Sequence, residues 1–80
     1  MEGYLAYSIA GHDKNKGYLI IKEENDFVWL VDGRIRTLDN PKRKNKKHIQ
    51  VIKKQDYKTG LESMTNEQIK RICKDIQEVK

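Results

Sequence analysis

The sequence predicts a mainly β fold, in which five short strands form a small, strongly bent barrel with an appended C-terminal α-helix. Short apolar stretches alternate with turn residues through residues 1–52, which is typical of short strands in one sheet. Near the C-terminus the spacing of apolar residues changes to that of a helix. At 80 residues the chain is long enough for one domain but too short for a two-sheet sandwich. An open sheet packed on the helix is the competing geometry.

The first three strands are predicted at residues 5–10, 18–22 and 27–31. The first of these shows the alternation of a half-buried strand. The polar stretch after it is bounded by Gly11 and Gly17 and contains Asn15, residue types that tolerate the positive φ values of a tight loop. The second and third strands are dense in aromatic and β-branched residues, so they should pair antiparallel across a short turn.

The dipeptide Asp32-Gly33 lies between apolar residues and predicts a two-residue hairpin, because Asp and Gly accept positive φ. A fourth strand is then expected at residues 34–38, where basic and apolar side chains alternate. Pro41 should end it, since proline has no N–H group to donate to a neighbouring strand. A basic loop would follow, and the fifth strand is predicted at residues 48–52.

The C-terminal part of the chain predicts an α-helix that begins near Asn66. Thr65 and Gln68 have the spacing of a capping box, in which each side chain binds the backbone N–H of the other residue. One face of this helix is apolar and is expected to pack on the barrel; it consists of Ile69, Ile72, Cys73, Ile76 and Val79. The predicted units are a barrel at residues 1–53, a polar connector at 54–64 and the helix at 65–80.

Positive charge is concentrated in the middle of the chain. The formal net charge is +5 at pH 7. Residues 34–58 contain ten Lys or Arg against two Asp or Glu, and the seven residues from Lys42 to His48 include five Lys or Arg and one His. Such a concentration is typical of a surface for an anionic partner, although a solvated basic loop has the same composition.

The sequence does not support a secreted or membrane-spanning protein, or one stabilised by disulfides or by a zinc site. Cys73 is the only cysteine, so neither an internal disulfide nor a zinc site of several thiolates can form. The longest uninterrupted apolar run, residues 27–31, is far shorter than the roughly 20 residues of a membrane span. The acidic N-terminus differs from a secretory signal, so we expect a cytoplasmic monomer without membrane contact.

The adjacent pair His12 and Asp13 also invites a catalytic or metal-binding interpretation. Neither residue has a recognisable third partner in the sequence, so no enzymatic activity, metal or cofactor is expected. Asp13 is instead expected to accept backbone N–H groups within its own loop. Trp29 and Tyr18 are the first candidates for stacking on nucleic-acid bases, although so small a core needs aromatic side chains itself.

Several stretches together resemble a known family: AGHDKNKGYLII, DFVWLVDGRIRTLDNPKRKNKKHIQ, and the upstream Gly3 and Ser8. In order and spacing they are similar to the bacterial KOW-domain RNA-binding proteins, which are related to KOW-containing large-subunit ribosomal proteins of archaea and eukaryotes. The resemblance covers about residues 3–50 and implies an SH3-like barrel whose loops contact RNA. His12 stands where relatives usually have Arg, and Asn15 where the second glycine of the motif is usual.

The resemblance and the charge pattern together predict an RNA-binding module associated with the ribosome, with RNA and ribosomal proteins as partners. The module would hold the phosphate backbone through one positive face rather than read bases. The predicted RNA-binding residues are His12, Lys14, Lys16, Arg34, Arg36, Lys42, Arg43, Lys44, Lys46, Lys47 and His48. The alternative is an SH3-like adaptor for an acidic protein or peptide, with the apolar helix face as a second docking surface.

Overall fold

The computed structural model describes residues 1–52 and 56–78, which form a five-stranded antiparallel sheet and one α-helix. The strands are β1 (Leu5–Ser8), β2 (Gly17–Glu24), β3 (Phe27–Val31), β4 (Lys42–Asn45) and β5 (Ile49–Ile52), and the helix is α1 (Asn66–Glu78). Two 3₁₀ helices, Lys46–His48 and Lys58–Ser63, precede β5 and α1 respectively. The prediction of a mainly β fold with a C-terminal helix is confirmed.

The strands lie in the order β4-β3-β2-β1-β5, so that β4 and β5 are the edges of an open sheet. The first four strands pair antiparallel with their neighbours in sequence. β5 returns to pair with β1, from Ile49 opposite Ser8 to Ile52 opposite Leu5. The register of β2 against β3 shifts next to Ile20, and such an irregularity bends a strand and increases its twist.

Four of the five predicted strands are present in the structure. β3 has the predicted bounds, whereas β1 is shorter, β2 is longer and β5 begins one residue later than expected. β2 and β3 pair antiparallel as predicted, across a turn of only two residues in which Asn25 has a φ of +55°. In the loop between β1 and β2, Gly11 and Asn15 have φ values of +83° and +73°, as their residue types predicted.

The predicted strand at residues 34–38 is wrong, and so is the two-residue hairpin before it. The backbone N–H groups of Arg34 and Arg36 each donate to Asp32 Oδ1 at 2.9 Å, and the Asp32 N–H donates to the Arg36 carbonyl at 2.8 Å. This closed loop occupies the groups that a strand would need for pairing. Ile35, one of the apolar residues of this predicted strand, is 73% exposed. The fourth strand is formed instead by basic residues that were predicted as a loop.

The connection from β3 to β4, residues 32–41, lies against the beginning of α1. Gly33 has a φ of +78°, and a Cβ there would lie 2.5 Å from the backbone N of Lys70 and closer still to the carbonyl oxygen of Asn66. The Leu38 N–H also donates to Asn66 Oδ1 at 2.9 Å. Gly33 is therefore required both by its backbone conformation and by the close approach of the helix.

Alternation along the strands divides the core into two clusters on opposite faces of the sheet. The first cluster consists of Ala6, Tyr18, Ile20, Val28, Leu30 and Ile49, with Val51 packed against it. The second consists of Leu5, Leu19 and Val31 from the sheet with Ile69 and Cys73 from α1. Ile69 and Cys73 are fully buried, which confirms that the helix packs on the sheet.

The helix begins as the sequence predicted. The Gln68 N–H donates to Thr65 Oγ1 at 3.2 Å and the Thr65 N–H donates to Gln68 Oε1 at 2.9 Å, which completes the capping box. Ile72 and Ile76 are partly buried in the second cluster, whereas Val79 lies outside the described residues. Residues 54 and 55 of the predicted connector also lie outside them, as does residue 53 of the predicted barrel. The described part of the connector contributes Tyr57, Leu61 and Met64 to the same cluster.

Candidate functional site

The basic run forms an edge of the sheet rather than a loop. Lys42–Asn45 is β4, and the first 3₁₀ helix follows it, capped by the Lys47 N–H donating to Asn45 Oδ1 at 3.0 Å. Side chains alternate along β4, so Lys42 and Lys44 lie on one face of the sheet and Arg43 lies on the other. The cations of this run are therefore divided between two faces of the sheet, and they do not form the single positive face that was predicted.

Asp13 is the centre of a polar network that engages two of the predicted RNA-binding lysines. The residue is 5% exposed. Lys44 Nζ lies 2.7 Å from its Oδ1 and Lys42 Nζ lies 2.8 Å from its Oδ2. The hydroxyls of Ser8 and Tyr18 donate to the same carboxylate at 2.9 and 3.3 Å. The network therefore ties the β1–β2 loop to the edge strand β4, 31 residues further along the chain.

The position of the two lysines follows from the register of the sheet. Lys44 lies opposite Val28 and Lys42 opposite Leu30, and residues opposite each other across two strands share a face. Val28 and Leu30 belong to the first hydrophobic cluster, so both lysines extend towards that side of the sheet. Asp13 lies there to neutralise part of their charge.

The side-chain partners of Asp13 differ from the backbone N–H groups that its sequence context predicted. Burial alone would raise the pKa of Asp13, but the hydrogen bonds from Lys42, Lys44 and Ser8 outweigh it and hold the pKa well below its ordinary value. Burial, followed by the nearby charge of Asp13, raises the pKa of Tyr18, which keeps its hydroxyl protonated as a donor. The network is thus anionic at its centre at neutral pH.

Lys46 is also ion-paired, in a more exposed setting. Its Nζ lies 2.5 Å from Glu23 Oε2, and the terminal ammonium of Met1 lies 2.8 Å from Glu23 Oε1. The hydrogen bonds from Lys46 and then from the terminal ammonium lower the pKa of Glu23 to about 2. Because solvent reaches all three groups, these pairs contribute little to stability.

Six of the predicted residues are exposed: His12, Lys14, Lys16, Arg34, Arg43 and Lys47. Arg36 and His48 are half-buried, and the His48 carbonyl accepts a hydrogen bond from the Ile9 N–H at 2.9 Å. Lys16 and Arg34 line one cavity beside α1, although they are 18 positions apart in the sequence. The predicted set therefore forms at least two groupings, one around Asp13 and one beside the helix.

A further cationic surface, which includes aromatic side chains, was largely missed by the sequence prediction. Trp29 lies between Lys22 of β2 and Arg43 of β4 in the register of the sheet, so these side chains form a row across three strands. Lys22 Nζ is 4.8 Å from the centroid of the Trp29 ring, and Arg43 Cζ is 4.7 Å from that of Phe27. These are cation–π distances. Lys22, Phe27, Trp29 and Arg43 are called the aromatic row below.

The aromatic row lies outside the core. Phe27 and Trp29 are half-buried and belong to neither hydrophobic cluster of the described residues, although they are the only Phe and the only Trp of the chain. The expectation that aromatic side chains fill the core holds for Tyr18, which is 3% exposed, and fails for Trp29. The alternation in FVWLV already indicated this position, because it places both rings on the face of the sheet opposite to that of Val28 and Leu30.

The basic edge strand also has a structural role that needs no partner. Lysines on an edge strand prevent its unpaired backbone groups from pairing with another sheet. Lys42 and Lys44 serve this purpose and neutralise Asp13 at the same time. Support for a binding surface must therefore come from cations that do not combine the protection of the edge strand with the neutralisation of Asp13, such as Arg43, Lys47 and Lys14.

No protein-family model matches the chain, and a search of curated proteins finds no significant match. Within residues 1–52 and 56–78, no group of three or more His, Cys, Asp or Glu could hold a metal ion. No helix in this described part has the length and apolar composition needed to cross a membrane. The resemblance to KOW-domain proteins therefore stays a prediction, carried by the residues quoted for it.

Proposed function

We propose that the chain is an RNA-binding module that holds unpaired nucleotides of a structured, ribosomal-type RNA through the aromatic row and the exposed cations of the predicted set. The observation that carries this proposal is the aromatic row itself. Bases stack on aromatic rings and on guanidinium planes, while Lys and Arg neutralise phosphates. Trp29, Phe27 and Arg43 offer the first kind of contact and Lys22 the second, side by side on one sheet face.

The strength of the electrostatic part follows from the number of free cations. Six exposed Lys or Arg are available: Lys22 of the aromatic row, and Lys14, Lys16, Arg34, Arg43 and Lys47 of the predicted set. If each neutralises one phosphate of a single strand, the log–log dependence of affinity on salt has a slope of about −4.2. Lys42 and Lys44 add little, because Asp13 already compensates part of their charge.

We also propose that the sheet is bent into an SH3-like barrel, as the KOW resemblance implies. The first hydrophobic cluster is buried although α1 packs on the opposite face of the sheet. A flat sheet would leave that face open to water, so burial favours a sheet that curls over its own side chains. The pairing of β5 with β1 and the irregularity in β2 support such a bend. The preference for RNA over DNA and the association with the ribosome rest on the resemblance alone.

Fluorescence anisotropy with a fluorescein-labelled single-stranded RNA of about 20 nucleotides, longer than the footprint of one small module, tests the proposal. The test variant is Arg43→Gln/Lys47→Gln, and the control is Lys58→Gln/Arg71→Gln, which removes one exposed Lys and one exposed Arg elsewhere on the surface. Each phosphate contact contributes about 0.7 to the salt slope, so it raises the affinity about fivefold when the salt concentration falls from 1 M to 0.1 M. The test variant should therefore lose about 25-fold.

The intrinsic fluorescence of Trp29, the only tryptophan, gives an independent readout, because a base stacked on the ring quenches it. RNA binding with a shallow salt slope, or equal losses in the two variants, would overturn the proposed surface. Equal affinity for DNA of the same sequence would remove the preference for RNA.

The adaptor alternative has less support. Its second docking surface was the isoleucine stripe of α1, and Ile69 of this stripe is fully buried while Ile72 and Ile76 pack against the same cluster. An adaptor would bind its acidic protein partner in the absence of RNA, and the fluorescence of Trp29 would stay unchanged when RNA is added.

A further inference from the structure

A cavity of about 700 Å³ lies between the β1–β2 loop, the β3–β4 connection and α1. Four cationic side chains line it, together with Asp32, Ile35 and Cys73; the cations are Lys16, Arg34, Lys70 and Lys74. All four are exposed. This cationic groove combines two residues of the predicted RNA-binding set with two lysines of the helix, which the sequence had placed outside the site.

Backbone contacts hold the walls of the cationic groove in place. Gly33 lies so close to the Lys70 backbone that a Cβ would not fit, which keeps the neighbouring Arg34 next to the helix. On the other side, the Lys16 N–H donates to the Asp13 carbonyl at 3.0 Å and the Ser8 N–H donates to the Lys16 carbonyl at 3.0 Å. The close approach at Gly33 therefore fixes the β3–β4 connection against α1, and the two hydrogen bonds fix Lys16 within the β1–β2 loop.

The charge of the cationic groove is not balanced within it. Four cations and one carboxylate give a formal charge of +3. Asp32 Oδ1 already accepts the N–H groups of Arg34 and Arg36, so it is only partly available to a lysine. Among the side chains that the structure describes, none of the four cations forms an ion pair. A cleft lined by one sign of charge focuses its field and attracts counter-ions of the opposite sign.

We propose that the cationic groove binds backbone phosphates of the same RNA, so that the RNA-binding surface extends from the sheet onto α1. This inference rests on the proposed RNA-binding function and adds the helix to it. Lys70 and Lys74 are one helical turn apart, with about 5–6 Å between their Cβ atoms, so each can neutralise a separate phosphate. Two further contacts steepen the salt slope from about −4.2 to about −5.6.

The inference is tested by the variant Lys70→Gln/Lys74→Gln in the same anisotropy titration, at several salt concentrations. Both lysines are exposed, and thermal unfolding followed by circular dichroism verifies that the fold is retained. The control is again Lys58→Gln/Arg71→Gln, which removes the same charge outside the groove and includes a cation of the same helix. Lys70→Arg/Lys74→Arg keeps the charge and should bind RNA as the unchanged protein does.

We expect the groove variant to lose about 25-fold in affinity at 0.1 M salt, with a slope less steep by about 1.4, and to lose clearly more than the control. If the unchanged protein binds RNA and the two variants lose equally, the groove is overturned while the proposed function stands. If the unchanged protein binds no RNA, both are overturned.

Discussion

Replacing Asp13 with Asn should destabilise the fold by about 3–5 kcal/mol, because it removes one side of a buried ion-pair network. The two lysines contribute unequally to this cost. The Lys44 side chain is 10% exposed and would keep a charge without a counter-ion, whereas the Lys42 side chain is 30% exposed and can turn to solvent. Most of the loss therefore comes from Lys44. It is a large share of the 5–15 kcal/mol that holds a typical small domain folded.

Urea denaturation followed by Trp29 fluorescence and by circular dichroism measures this loss. The thermal midpoint should fall by roughly 4–8 °C for each kcal/mol in a domain of this size. Asp39→Asn makes the same chemical change at an exposed carboxylate that forms no ion pair with the described residues, and it should stay within about 0.5 kcal/mol.

The same network predicts how stability depends on acid. Since the pKa of Asp13 is lowered in the folded protein, its contribution is fully present above its unfolded value of about 3.8 and is lost as the pH falls further. The Asp13→Asn substitution should therefore weaken the acid dependence of unfolding below about pH 4. A loss below about 1 kcal/mol, which is the size of an exposed salt bridge, would refute the reasoning, as would an unchanged acid profile.

Three further predictions concern the helix cap at Thr65, the close packing at Gly33 and the reactivity of Cys73. Thr65→Ala removes the helix cap and should cost about 1 kcal/mol in urea denaturation, while Thr59→Ala at an exposed site should cost little; equal losses would contradict the role of the cap. Gly33→Ala should cost about 2–4 kcal/mol, because of its positive φ and the clash with α1, whereas Gly60→Ala meets nothing within 4 Å and should be nearly neutral. Burial raises the pKa of Cys73 to about 12. Ellman's reagent should therefore react at pH 8 about fiftyfold more slowly with the folded protein than with the urea-unfolded chain, because the smaller thiolate fraction is partly offset by its higher nucleophilicity. Comparable rates would show that the thiol is accessible.

The elements that sequence reasoning found are those that neighbouring residues determine. FVWLV forms a strand with the predicted bounds, and its composition favours a strand wherever it lies. The capping box of Thr65 and Gln68 needs only residues three apart, so it was visible in the sequence and is present in the structure. Helix packing also followed, because the spacing of Ile69 and Cys73 already indicated one buried face.

The error at the fourth strand has a physical cause that periodicity cannot reveal. Residues 34–38 alternate like a strand, but the Asp32 side chain binds their N–H groups and closes a loop. KRKN, which does form β4, contains no apolar residue and therefore gives no strand signal. It pairs antiparallel with β3 and is tied to the β1–β2 loop by the contact of Lys44 with Asp13, and no local pattern connects residues so far apart in the sequence.

The same pairing decides which substitutions can test RNA binding. A count of positive charges treats every lysine of the basic run alike, but the Lys44 side chain is only 10% exposed and is paired with Asp13, while Arg43 and Lys47 are exposed. Replacing Lys44 would leave Asp13 with the partly exposed Lys42 as its remaining cation, so a loss of RNA affinity could follow from a disturbed β1–β2 loop without any lost phosphate contact. Arg43 and Lys47 can be changed without disturbing that network. A loss of affinity in their variant, at an unchanged unfolding midpoint, therefore reports on the RNA contact itself.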